Sequence, residues 1–251
     1  MRTALTFFSA FLLMGAATLP ASADEIRVLT GNAVQTPQRL LAQKFSQNTG
    51  HTVTLTSANP SVIQQKLDAG EPFELLVIPS QFLKAYQGKG KVIDGSARPL
   101  ARVGVGVAAR EGNKLDFATP EAFKAMVKAA HKIAYSDAST GGLSALSVQQ
   151  VLKNAGLADV ATAKAVTGNN GHELVASGQV DFGLYNVSEI PRAKGEVLAG
   201  RVPAALQAYL DYDAAIPKSN TKPEAARAFL TYMASPDGHS AWESSNIDQA
   251  R

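Results

Sequence analysis

Residues Glu25 to Ile78 read EIRVLTGNAVQTPQRLLAQKFSQNTGHTVTLTSANPSVIQQKLDAGEPFELLVI, and this stretch decides the fold. Glu25 to Leu29 alternates and is β-branched, which predicts a strand running into a turn at Thr30-Gly31-Asn32-Ala33. Thr36 to Gln47 sets Leu40, Leu41 and Phe45 at helical spacing, with Gly50 as its stop. Val53 to Thr56 predicts a second strand, Ser57 to Pro60 a turn, and Ser61 to Leu67 a helix ending near Gly70. Phe73 to Ile78 is apolar with little alternation, as expected of a parallel strand covered on both faces. A β-α-β-α-β order predicts right-handed crossovers and puts ligand contacts at the carboxyl ends of the strands.

The pattern then repeats as architecture rather than as sequence. Ala101 to Ala109 is an apolar strand, and Thr119-Pro120-Glu121 opens a helix to about Ala130 with a cap residue followed by Pro. Lys132 to Ser136 is a strand, and Asp137 to Gly142 is a turn leading into a helix from Ser144 to Ala155. A helix at Gly171 to Ser177 enters a strand at Asp181 to Asn186. Ala208 to Ile216 reads as a last strand, followed by helices at Lys222 to Met233 and Ser235 to Ser244. This is an α/β protein of two lobes, each a mixed, mostly parallel sheet flanked by helices, with a ligand cleft between them. Lobe 1 takes residues 24–102 and 212–251 and lobe 2 residues 103–211, with hinge strands near Val103 and Asp213.

Upstream, Met1-Arg2 precedes an apolar run from Ala4 to about Ala17, then Leu19-Pro20-Ala21-Ser22-Ala23. A basic start, an apolar centre and small residues before the cut describe a secretory signal peptide over 1–23. The apolar run is shorter than the roughly 20 residues a spanning helix needs. There is no cysteine among the 251 residues, so neither a disulfide nor a lipidated cysteine after the signal is available. An unanchored secreted binder needs an outer barrier to retain it, which implies the periplasm of a Gram-negative cell. The formal net charge is +3 and the basic residues are scattered, so nucleic-acid binding has no support; a small anionic ligand suits the balance.

Several phrases resemble the periplasmic molybdate-binding proteins of ABC transporters, within the type II periplasmic binding proteins. They are the strand, turn and helix of Ile26 to Gly50; Gly70-Glu71-Pro72-Phe73-Glu74-Leu75; Ile133-Ala134-Tyr135-Ser136-Asp137 with Gly141-Gly142; and Gly178 to Gly183 followed by Ser188-Glu189. The resemblance covers nearly the whole mature chain. It implies a monomeric solute-binding component serving an inner-membrane ABC permease, with no cofactor and no resident metal. That family holds its oxyanion with a Ser in the first turn, a Ser opening the second helix and a Tyr after a late strand. Here the first turn has Asn32 and Ala33 instead, Ser61 keeps the second hydroxyl, and Asn186 stands at the Tyr position. The ligand so implied is another oxyanion or a small carboxylate, with molybdate or tungstate as the alternative.

The chemistry of the turns supports an anion independently. Helix N-termini expose unpaired N–H groups and a positive dipole end. The candidate ligand-binding residues are Asn32, Ala33, Asn59, Ser61, Ser139, Thr140, Gly141, Asn170, Gly171 and Asn186. Ser61, Ser139 and Thr140 read equally well as ordinary helix caps, and Asn169 to His172 as a plain turn. His172 reads as an exposed first-turn residue, Arg110 as solvated, Glu189 as a helix-start charge and Tyr185 as core. The four histidines lack metal-ligand spacing, no nucleophile elbow occurs, and Gly104 to Ala109 lies inside a strand rather than opening a helix. The reading is therefore a binder and no enzyme, with a periplasmic sensor or an enzyme as the competing classes.

Overall fold

The structure, a computed structural model, describes residues 23–136, 143–168, 170–221 and 223–250. Its first half follows from the sequence pattern. Strand β1 (Glu25–Gly31) lies between β2 (Thr52–Ala58) and β3 (Leu75–Pro79), parallel to both. The connecting helices are α1 (Gln35–Thr49), ended by Gly50 in the left-handed conformation that glycine adopts without strain, and α2 (Pro60–Asp68). Helix α3 (Ser80–Gly88), which the sequence reading passed over, follows β3.

Strand β4 (Arg98–Arg110) is the spine of the molecule. Its first part pairs antiparallel with β9 (Tyr209–Ala215), which itself runs antiparallel to β3. Its second part pairs with β7 (Phe182–Asn186) and β8 (Glu196–Arg201). Beyond β7 lie β5 (Ile133–Tyr135) and β6 (Ala165–Val166), both in parallel pairings. One continuous sheet path therefore runs β2-β1-β3-β9-β4-β7-β5-β6. The remaining described elements are α4 (Pro120–Ala129), α5 (Leu143–Asn154), α6 (Ala158–Ala163), α7 (Gly171–Ser177), α8 (Pro223–Met233), α9 (Pro236–Ser244) and β10 (Asp248–Gln249).

Two large cores flank the spine, with two smaller apolar clusters beside them. One gathers Ile26, Val28, Leu41, Phe45, Val103, Phe229 and Trp242, so the terminal helices pack back onto the first lobe. Trp242 is fully buried and its indole N–H donates to the Met233 carbonyl at 3.0 Å, satisfying its one polar group. The other gathers Val105, Phe123, Val151, Phe182 and Leu184. Core membership changes hands between Val103 and Val105, across Gly104 on the same strand. Among the described residues no helix is long and apolar enough to cross a membrane.

Two sequence expectations need correction. Helix α2 opens at Pro60 rather than Ser61, because Asn59 is its cap and Pro at the first helical position loses no needed hydrogen bond. Strand β8 was not anticipated: most of its residues are partly exposed, and Gly200 breaks the alternation that would have marked it.

Candidate functional site

A cavity of about 260 Å³ lies between the lobes, at the carboxyl ends of β1, β2, β3, β5 and β7. Its first wall is built from short polar turns. Gly31 ends β1, and a Cβ there would lie 2.5 Å from Cε1 of Tyr212, so only glycine allows that phenol to close over the turn. Asn32–Val34 forms one turn of 3-10 helix ahead of α1, with Asn32 and Ala33 facing the cavity. Gln38, buried in α1, clamps this turn: its amide donates to the Thr30 hydroxyl at 2.7 Å and to the Val34 carbonyl at 3.1 Å. Asn59 and Pro60 complete the wall where α2 begins.

The second wall carries the ionisable groups. His172, in the first turn of α7, is only 5% exposed. Its Nδ1 is 2.8 and 3.0 Å from the two carboxylate oxygens of Glu196, itself 3% exposed. Glu196 also accepts the backbone N–H groups of Arg192 at 2.7 Å and Ala193 at 3.3 Å. The His172 ring stacks on Tyr185, with centroids 3.9 Å apart and planes 21° apart. Arg192 is the one Lys or Arg among the described residues of the lining. Asn186, at the end of β7, donates its N–H to Ser144 Oγ at 3.1 Å, and its side-chain Oδ1 is buried without a protein partner.

Burial raises the Glu189 carboxyl above its ordinary range, although Ser144, His172, Arg192 and Asn186 act in the opposite direction. Burial, reinforced by the Glu196 and Glu189 charges, likewise raises the Tyr185 phenol, and burial with Glu189 raises that of Tyr212. Both phenols stay protonated across the physiological range. The Tyr185 hydroxyl and the Asn186 side-chain oxygen, on residues that line the cavity, are buried without a protein partner, a situation that asks for a ligand or water. Among the described residues no group of three or more His, Asp or Glu is placed to hold a metal ion.

Of the residues singled out from sequence, Asn32, Ala33, Asn59 and Asn186 line this cavity. Ser61 does not: it is exposed and its hydroxyl donates to Asn59 Oδ1 at 2.8 Å, buttressing a cap that also accepts from the Val62 N–H. Asn170 is exposed and makes no side-chain cap, and Gly171 is buried behind the lining, where a Cβ would collide with the Tyr185 hydroxyl. Ser139, Thr140 and Gly141 lie outside the described residues. His172, expected to be exposed, is buried because Glu196 and Tyr185 enclose it. Glu189, a helix-start charge in the 3-10 turn Val187–Glu189, and Tyr185, a core residue, hold to their readings and also line the cavity. Ser144, Arg192 and Tyr212 were missed; Arg192 sits in a loop beside Pro191, where no periodicity signals its direction.

A model of the family described as bacterial extracellular solute-binding protein matches residues 26–245. The chain is 27% identical over 229 residues to an aconitate isomerase of Pseudomonas sp, covering 88% of this chain and 87% of that protein. It is 25% identical over 230 residues to the molybdate-binding protein ModA of Rhodobacter capsulatus, covering 90% and 88%. Among solved structures, the periplasmic molybdate-binding protein of Azotobacter vinelandii superposes with a TM-score of 0.67 at 20% identity, over 90% of this chain and 100% of that one. The two-lobed fold is shared.

Proposed function

The chain belongs to the bacterial extracellular solute-binding proteins, and from that premise we propose that it captures a small anion in its cleft and passes it to an ABC-type permease. One observation carries this reading: helix-start turns of one lobe and residues of the other that hold orphaned polar atoms line a single cavity. Asn32 and Ala33 contribute amides at a positive dipole end, and Arg192 supplies the positive charge. Residues 1–23 act as the export signal, and the mature chain works in the periplasm as a monomer. Ligand bridges the lobes, and the crossing strands flex near Val103 to Gly104 and near Asp213 as the cleft closes.

The cavity holds several times the roughly 30 Å³ that a water occupies in the liquid. That suits a small carboxylate with more than one anionic group, with molybdate or tungstate as the alternative. Thermal shift across molybdate, tungstate, sulfate and a series of di- and tricarboxylates tests this. A ligand at 100 times its Kd stabilises by about 2.7 kcal/mol, and small-angle scattering should report compaction. A panel in which no anion raises Tm, or in which a neutral sugar does, overturns the proposal.

A second reading is that the cleft transforms its ligand. The His172–Glu196 pair in the wall favours it, as does the similarity to a relative named as an isomerase.

A further inference from the structure

Among the described residues, His172 and Glu196 are the only histidine and the only carboxylate as buried as core residues, and they are bonded to each other. This is a poor arrangement for anion capture alone. Glu196 stands behind the cavity and Glu189 on it; a carboxylate there repels an anion more strongly in a low-dielectric cleft than in water, and Glu189 avoids this only by holding a proton. It is a good arrangement for moving a proton. Nδ1 is committed to Glu196, which holds the ring in one orientation and stabilises the imidazolium that forms on protonation. Nε2 makes no hydrogen bond among the described residues, and His172 lines the cavity. Stacking on Tyr185 fixes the ring plane.

Resting on the reading of this cleft as the ligand site, we infer that it is also a proton-transfer centre, in which His172 isomerises a small unsaturated polycarboxylate. The C–H bond beside the double bond breaks, its electron pair enters the system conjugated with a carboxylate, and the proton bonds to Nε2. Nε2, having exchanged that proton in part with solvent, delivers a proton to the other end of the three-carbon unit as the pair collapses to a relocated double bond. Nothing is oxidised or reduced, and no co-reactant is consumed. Arg192 and the turn at Asn32 and Ala33 hold the carboxylates during the transfer. His172 touches the reacting carbon and is the catalytic residue; Glu196 acts through it and is a positioning residue.

The test uses the mature chain with cis- and trans-aconitate, chosen for the relative's reaction. In D2O, proton NMR should show loss of carbon-bound hydrogen and interconversion of the two isomers. His172→Ala should lower the exchange rate by at least about 100-fold, and added imidazole should restore part of it. Glu196→Gln keeps an oxygen for the Arg192 and Ala193 amides. It should lower kcat about tenfold or more while leaving KM within about twofold. A purely structural role would instead move both or neither. Each variant is first checked for a ligand-induced Tm rise, which separates misfolding from lost chemistry. If aconitate raises Tm yet no exchange exceeds buffer, or if His172→Ala exchanges at full rate, the inference is overturned while anion capture stands. It is overturned too if other anions bind and neither aconitate isomer does. If no anion binds at all, it is the capture reading that falls.

Discussion

The two walls of the cleft are made of different material. The first lobe offers Gly31, Asn32, Ala33, Asn59 and Pro60, which are backbone, small side chains and helix starts, together with the Tyr212 phenol that burial keeps protonated; it has no carboxylate, imidazole or basic side chain. The second offers Ser144, His172, Tyr185, Asn186, Glu189 and Arg192, several of them buried and bonded to one another. The first wall can select an anion by shape and dipole but cannot move a proton. The second can do both, at the expense of holding carboxyl groups close to a negative ligand. The contrast separates what recognition requires from what chemistry requires.

Breaking the second wall at its buried pair should have the largest effect. Glu196→Ala strips the partner from His172 Nδ1 and from two backbone N–H groups, and should cost about 3–5 kcal/mol in urea denaturation. The first wall has no buried ion-pair partner to lose, only the neutral clamp of Gln38 on Thr30 and Val34. Its most sensitive point is steric: Gly31→Ala drives a methyl into Tyr212 and should cost about 1–3 kcal/mol, with weaker anion binding by calorimetry.

A third experiment sharpens the contrast by pH. Burial favours the protonated Glu189, and the groups facing it are Ser144 on α5, His172 on α7, Asn186 on β7, Tyr212 on β9 and Arg192. A carboxyl whose pKa is raised on folding contributes stability at low pH, lost as pH rises through the folded value. A bound anion favours the proton further. Affinity for a non-titrating anion such as sulfate should therefore fall as pH rises through the Glu189 transition, by up to about tenfold per pH unit for one linked proton. Glu189→Gln should flatten the profile; an unchanged slope would remove Glu189 from the site.

Two smaller effects belong to the first wall. Asn59→Ala removes a cap that accepts from the Val62 N–H and should cost about 1 kcal/mol. Ser61→Ala removes a hydroxyl that touches Asn59 rather than the cavity, so stability should change by less than about 0.5 kcal/mol and affinity little. A tenfold affinity loss in Ser61→Ala would put that hydroxyl back in the site.

Particular residues show where legibility in the sequence ends. Asn32, Ala33 and Asn59 were readable because a turn between a strand and a helix is written locally: alternation stops, small or capping residues follow, and helical spacing begins. Asn186 was placed by the family resemblance, which aligns it with the Tyr position. Ser61 lies two residues past the true cap, because Asn59 and Ser61 are both good caps and the choice depends on which side chain reaches the Val62 N–H.

The β-α-β order and the α/β class were determined by the sequence alone, because hydrophobic periodicity and punctuation act over a few residues at a time. The tertiary structure decided the chemistry. His172 and Glu196 are 24 residues apart, and Tyr212 meets Gly31 across most of the chain. No local pattern records such meetings. A side chain's protonation and exposure depend on what the folded sheet brings beside it, and here that is a carboxylate, a phenol and the edge of a cavity.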